Sequence, residues 1–246
     1  MKVAISFLGT GKYLDFLPKY YENIEKYFLP NTEKTVLAFT DGELDGTPEN
    51  LKVFPQEHLN WPYITLQRFK IINKAREIIR DHDWFVFIDG DALVVDRIEE
   101  KDFFTDKPLF GVHHPCHYLK MAPHDRYPGA YEITENCNAA IDLEKYQPHV
   151  YYQGCFWGGK VPQVCDMIDE LEYRIDDDLH RNVIALWHDE SHLNKYFIEN
   201  PSLVHTYGPE FAFPEVFKNQ CTFEPKIVHL AKNNSCLLYT SDAADD

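Results

Sequence analysis

The chain has no CxxC pair. Its six cysteines, Cys116, Cys137, Cys155, Cys165, Cys221 and Cys236, are scattered, so no zinc ribbon is suggested. It also lacks a long apolar run. No stretch is long enough to span a bilayer, and Met1 to Leu8 is too short an apolar segment for a signal peptide. These absences predict a soluble, cytoplasmic protein with free thiols in a reducing compartment. Positive charge is scarce as well: 24 Lys and Arg face 40 Asp and Glu, a formal net charge of −16, which excludes nucleic acid or anionic membrane as the main partner. An anionic substrate stays compatible if a metal ion supplies the positive charge. There are no internal repeats.

What is present is a 246-residue chain, enough for one large α/β domain or two small ones with a core that needs no staples. Aromatic residues make up 15%, so core and pocket walls can be aromatic. The organising stretch is 84–95. Trp84-Phe85-Val86-Phe87-Ile88 reads as a buried strand, and Asp89-Gly90-Asp91 follows it directly. Two carboxylates cannot sit unpaired inside a strand, so they belong where it emerges, at the end of the sheet where ligands bind. Carboxylate oxygens suit Mg²⁺ or Mn²⁺, which in turn hold phosphate oxygens. The other reading is an aspartate-rich turn. The same spacing recurs at Asp81/Asp83 and Asp176/Asp178, in polar surroundings that read as solvated surface.

Residues 2–8 predict a first strand, followed by Gly9-Thr10-Gly11-Lys12 and a helical stretch to Phe28. This is not a phosphate loop, because Ser6 and Tyr13 stand where that motif needs Gly and Ser or Thr. A nucleotide-contacting turn, with Tyr13 able to stack on a base, fits better. Strands follow at 36–39 and 51–54, and a helix from Trp61-Pro62 to about Arg80. Arg68 falls on that helix's apolar face. It either snorkels to the rim or pairs with a carboxylate or phosphate. The order β-α-β-β-α-β argues for a nucleotide-binding half. Further on, the pattern predicts a strand at 110–114, a long loop at 115–131, an aromatic, glycine-rich pocket wall at 151–159 and a helix from Val161 to about Leu186. Its acidic run, Asp176 to Asp178, reads as a solvated face.

The second dense cluster is Trp187-His188-Asp189-Glu190-Ser191-His192. Two histidines four apart suggest a zinc-protease helix, but Asp189 stands where that motif needs Glu, so the reading fails. Asp189 and Glu190 would point about 100° apart on a helix and could serve two bound molecules. Trp187 offers a face for a sugar ring. The blander reading is acidic capping of a helix N-terminus.

With both clusters in view, the chain resembles glycosyltransferase family 6, the family of the histo-blood-group A and B transferases and alpha-1,3-galactosyltransferase, in its soluble microbial form. The run Trp187 to Tyr196 carries the likeness. Thr10-Gly11-Lys12-Tyr13, Phe39-Thr40-Asp41, Trp61, His114-Pro115, Tyr151-Tyr152, Gly158-Gly159 and Asp89-Gly90-Asp91 support it. The resemblance implies an α/β GT-A fold: a single domain over residues 1–235 with a Rossmann-like half and a mixed central sheet. Residues 1–96 would mainly bind UDP and 97–235 mainly the acceptor.

The implied activity is retaining transfer of galactose, or N-acetylgalactosamine, from a UDP-sugar to the 3-OH of a galactoside glycan, with Mn²⁺ or Mg²⁺. By position, Phe7 and Tyr13 would contact uridine. Arg68, Asp89, Asp91, Asp189 and Lys232 would bind the donor, with Asp89 and Asp91 on the metal. Glu190 would be the catalytic carboxylate. His114, Gln153, Cys155 and Trp187 would bind the acceptor, and Cys155, bulkier than Gly, favours UDP-galactose. The acidic ending, 236–246, lacks the family's basic tail and is expected to be disordered or non-native. The alternatives are a sugar-nucleotide-binding protein, a UDP-sugar hydrolase with weak transfer, or a sugar nucleotidyltransferase.

Overall fold

A computed structural model describes residues 1–44, 46–120 and 130–231. In chain order the elements are β1 (Lys2–Leu8), α1 (Leu17–Tyr27), β2 (Glu33–Thr40), β3 (Leu51–Pro55), α2 (Tyr63–Leu66), α3 (Arg68–Asn73), α4 (Arg76–Arg80), β4 (Trp84–Ile88), β5 (Ala92–Val94), α5 (Glu100–Phe103) and β6 (Leu109–His113). They continue as α6 (Pro115–Tyr118), α7 (Leu143–Tyr146), β7 (Tyr152–Lys160), α8 (Val161–His180), α9 (His188–Glu199), β8 (Val204–Tyr207), β9 (Phe213–Pro214) and β10 (Ile227–His229).

Seven strands form one mixed sheet in the order β3-β2-β1-β4-β7-β6-β8. The strands from β3 to β4 run parallel, β7 is antiparallel to both its neighbours, and β8 is parallel to β6. The first three strands build outward in one direction, and β4 then returns to the other side of β1. That reversal is a topological switch point, where the strand ends leave a crevice for a ligand. A second sheet of three strands, β5-β10-β9, lies beside it. This is the mixed α/β architecture of a GT-A-like domain.

Alternation along the strands divides the core. Val3, Ile5 and Phe7 face one layer, where Leu17, Tyr20 and Ile24 of α1 pack at helical spacing. Phe85 and Phe87 face the other layer, against α3, α4, α8 and α9. In α8, Val164, Cys165, Ile168, Leu171 and Ile175 make the apolar stripe.

Four expectations need correction. The helix expected over 61–80 is three short helices, α2 to α4. Gln67 (φ −90°, ψ 15°) and Ala75 (φ −97°, ψ 13°) interrupt it. Clustered isoleucines lower helix propensity here, and packing decides the path. The helix expected to reach Leu186 ends at His180. The start of the expected 115–131 loop is the helical turn α6, while 121–129 lie outside the described residues. Finally, Asp178 is not solvated. It is 1% exposed, because the steps Leu171, Ile175, Asp178 keep it on the inner face of α8. The tail 236–246 also lies outside the described residues.

Candidate active site

The site forms where β4 ends. The Asp89 N–H donates to the Cys155 carbonyl of β7 at 3.0 Å, and the Asp89 carbonyl accepts from the Ala92 N–H at 3.0 Å, which closes a tight turn. Gly90 is required inside it: a Cβ there would meet the Phe7 ring at 2.9 Å and the Leu8 carbonyl at 3.2 Å. Asp91 is buried. Its carbonyl accepts from the Leu230 N–H at 3.1 Å, and its Oδ1 lies 3.5 Å from His229 Nδ1 on β10.

The first turn of α9 supplies the opposite wall. His188, at φ +50°, holds a backbone conformation uncommon for a non-glycine residue, and it turns the chain into the helix. Its ring meets that of Trp61 edge-on at 4.9 Å. The helix is tied to β7 by Asn194. Its Oδ1 accepts from the Tyr152 N–H at 2.7 Å, and its Nδ2 donates to the Tyr152 carbonyl at 2.7 Å and to the Glu190 carbonyl at 2.9 Å. This registers Glu190 against β7. Glu190 Oε1 accepts from the Tyr151 hydroxyl at 2.9 Å, and Oε2 from the Gly154 N–H at 2.6 Å. Gly154 is needed for that approach, since a Cβ would stand 3.2 Å from the Glu190 Cβ.

Arg68 joins the two walls. Its Nη1 donates to the Gly154 carbonyl at 2.6 Å and lies 2.9 Å from Asp189 Oδ2. Its Nη2 lies 3.4 Å from Asp89 Oδ1, and the guanidinium sits 4.4 Å over the Phe87 ring. Pairing, not snorkelling, explains its place on the apolar face. A cleft of about 220 Å³ opens between the walls, lined by residues including Trp61, Arg68, Asp89, Cys155, Asp189 and Glu190. Gln153 Oε1, Trp187 Nε1 and Arg68 Nε, on lining residues, are buried without a hydrogen-bond partner in the protein. That is an unmet polar demand which a hydroxyl-rich ligand suits.

Burial raises the acids. Desolvation pushes the Asp189 carboxyl up to about 6, with Arg68 pulling it back and Asp89 adding to the rise. Desolvation likewise pushes Glu190 up to about 7, against the hydrogen bonds from Gly154 and Tyr151. One desolvated cleft therefore holds two carboxyls raised toward neutrality, beside the fixed charge of Arg68.

Of the residues singled out from sequence, Arg68, Asp89, Gln153, Cys155, Trp187, Asp189 and Glu190 share the cleft. Asp91 lies behind Asp89 on the same turn. Phe7 is fully buried edge-on to Tyr20, at 5.1 Å, beneath Gly90 and away from the lining. Tyr13 follows the Gly11 turn, with its ring against Phe16 at 5.7 Å. His114 is buried beside Tyr151, ring centroids 5.8 Å apart, and burial lowers its pKa to about 3. Lys232 lies outside the described residues. Sequence reasoning missed Thr65, His188, Tyr151, Asn194 and His229 as site residues. The first of these carries no local signal. His188 and Asn194 stood in view inside the Trp187–Tyr196 run. His229 comes near only through the pairing of β10 with β5.

Whether the aspartate turn suits a divalent cation can be judged from its donors. Donor atoms of Asp89, Cys155 and His229 lie within 4.8 Å of one another, and Asp91 flanks His229. His229 Nε2 is buried without a hydrogen-bond partner. Two carboxylates, an imidazole and a thiol fit a divalent transition metal.

Comparison with known proteins agrees with this geometry. The model of Glycosyltransferase family 6 matches residues 1–236. The O-antigen biosynthesis glycosyltransferase WbnI of Escherichia coli is 31% identical over 219 residues, covering 88% of this chain and 90% of that protein. Histo-blood group ABO system transferase 2 of Rattus norvegicus is 26% identical over 247 residues, 96% of this chain and 71% of that protein. Human globoside alpha-1,3-N-acetylgalactosaminyltransferase 1 is 26% identical over 225 residues, 87% of this chain and 62% of that protein. Among the described residues no helix is long and apolar enough to cross a membrane.

Proposed function

The chain belongs to glycosyltransferase family 6, and from that premise we propose that it is a retaining hexosyltransferase moving galactose from UDP-galactose to the 3-OH of a galactoside, in alpha-1,3 linkage. The carrying observation is that Glu190 and Asp89 line one cleft, whose two walls Arg68 joins by pairing with Asp89 and Asp189. The donor's diphosphate belongs at the Asp89-Gly90-Asp91 turn and the hexose toward Asp189 and Glu190. Uridine then lies toward the ends of β1 and β2, near Phe7 and Tyr13.

Asp89, Asp91 and His229 would hold a divalent cation, whose chemistry is to neutralise the departing diphosphate. Arg68 adds a fixed positive charge between the donor-side carboxylates. Asp189, anchored on Arg68, is placed to accept hydrogen bonds from hexose hydroxyls. Glu190 is held by two donors, so a carboxylate stands ready at the anomeric carbon. Retention follows if Glu190 displaces UDP from that carbon and is then itself displaced by the acceptor 3-oxygen, whose proton passes to the departing diphosphate. It also follows if Glu190 steadies a short-lived oxocarbenium ion while the acceptor enters on the leaving group's face. Trp187 offers apolar ring surface to the acceptor, with His114 buried against Tyr151. Cys155 occupies more of the pocket than Gly would, which favours galactose over the bulkier N-acetyl sugar.

The test is a transfer assay with UDP-galactose and UDP-N-acetylgalactosamine, Mn²⁺ and a galactoside panel, with NMR of the product. The expected result is an alpha-1,3 product and a higher kcat/KM for UDP-galactose. Preference for UDP-N-acetylgalactosamine overturns the donor assignment. UDP release with no glycoside product would identify a hydrolase instead, and pyrophosphate release a nucleotidyltransferase.

A further inference from the structure

A second cluster of metal-type donors lies behind the active-site helix and takes no part in the chemistry above. Cys137 comes from the turn that follows Glu132. Asp178 closes the inner face of α8. His192 sits in α9, two residues after Glu190. All three are buried, and their donor atoms fall within 4.8 Å of one another. Cys137 Sγ is 3.2 Å from Asp178 Oδ2, and His192 Nε2 is 3.6 Å from the same oxygen. Zinc bonds of about 2.0–2.3 Å in a tetrahedron put ligand atoms about 3.3–3.8 Å apart. The two edges, 3.2 and 3.6 Å, each lie within about 0.3 Å of those of such a site.

His192 gives an independent indication. It is 0% exposed, and neither Nδ1 nor Nε2 has a hydrogen-bond partner. A fully buried imidazole without a partner on either nitrogen is costly, and a cation on Nε2 would satisfy one of the two. Burial and the neighbouring Arg174 and Lys195 charges keep the ring neutral, lowering its pKa to about 3, which is the form a metal needs. Asp178 is braced as ligating carboxylates are: the Asn138 N–H donates to both its oxygens at 2.9 Å, and Arg181 pairs with Oδ1. Arg181 is balanced in turn by Asp177, 2.8 Å away.

We propose that Cys137, Asp178 and His192 form a structural zinc site that fastens the segment around Cys137 to α8 and α9, behind Glu190. Binding replaces the thiol proton, so each ion releases one proton to solvent. Thiolate and carboxylate then cancel the charge of the ion, and water completes the tetrahedron. The site does not depend on which sugar the enzyme transfers.

The test uses the full chain carrying Cys155→Ser, Asp89→Asn and Asp91→Asn, which together disable the donor set at the aspartate turn. After stripping with a chelator, Zn²⁺ is titrated against a chromophoric indicator, and Co²⁺ is added separately as a spectroscopic probe. The expected outcome is about one equivalent of zinc, a thiolate-to-cobalt charge-transfer band, and a rise in Tm on zinc addition. Adding Cys137→Ser, or alternatively Asp178→Asn, abolishes all three while the far-UV circular dichroism stays folded. Absence of zinc binding in that triple-variant chain overturns the proposal without any further variant. So does a cobalt band that survives both Cys137→Ser and Asp178→Asn.

Discussion

Glu190 is a carboxyl whose working form its surroundings resist. Folding raises it from 4.5 to about 7, chiefly by desolvation, so the folded chain binds that proton more tightly than the unfolded one. The sign follows directly. Stability tied to this group is fullest below about pH 4.5 and is lost as pH rises through about 7, whereas the proposed catalytic role needs the ionised form, so activity should rise over the same range. The ascending limb of kcat/KM against pH should therefore lie near 7 in the free enzyme. Glu190→Gln should lower kcat by about 10²–10³-fold or more, without that limb. Relative to this variant, wild-type stability should fall by at most about 3 kcal/mol between about pH 4.5 and pH 8. Paired denaturant titrations at both values measure it, and a constant difference would mean that Glu190 is not desolvated. Arg68 is the complementary residue. Arg68→Met should destabilise the protein by about 3–5 kcal/mol at neutral pH, because Asp189 is left buried without its counter-charge. Arg68→Lys should restore part of the stability and little of the activity, since an ammonium cannot reach Asp89, Asp189 and the Gly154 carbonyl as a fork.

At the scale of elements, the site depends on holding α9 against β7, and Asn194 makes that joint. Asn194→Leu leaves the Tyr152 N–H and carbonyl buried without partners, at a cost of about 2–4 kcal/mol. Because Glu190 and Gly154 lose their register, kcat should fall more than donor KM rises. Steady-state kinetics beside a thermal melt would show it, and an unchanged kcat would refute the joint. Such joints explain what was legible in the chain and what was not. Strands β1, β2 and β4 show in the sequence because they are buried on both faces and read as largely apolar runs, and β3, the exposed edge strand, shows only as a short run ended by Pro55. Asp89-Gly90-Asp91 shows because charge cannot continue a buried strand. Arg68 announced itself as a charge on an apolar face. By contrast, the breaks at Gln67 and Ala75 follow from packing, not propensity. Asp178 looked solvated because two acidic neighbours hid its place on the α8 stripe. Tyr151, His229 and the Asn194 bridge depend on which strands become neighbours, and local pattern does not record that.

Across the whole molecule, charge sets the problem of binding an anionic donor. A chain of net charge −16 repels a nucleotide diphosphate at long range, and among the described residues the cleft offers Arg68 as its lining cation. Asp89 and Asp91 add further negative charge at the turn where the proposed function seats the diphosphate. A divalent cation reverses that sign, so UDP and cation should each favour the other's binding. Two ligands linked through one site gain a coupling of about 1–3 kcal/mol, or 5–150-fold, and linkage makes the factor identical from both directions. Calorimetric titration of UDP with and without Mn²⁺ gives one side of the cycle, and titration of Mn²⁺ with and without UDP gives the other. Equal factors within that range are expected in the wild type, with loss of coupling in an Asp89→Asn, Asp91→Asn double variant. If UDP bound equally well in excess chelator, the cation would not sit between the aspartate turn and the diphosphate, and Arg68 would have to carry the donor alone.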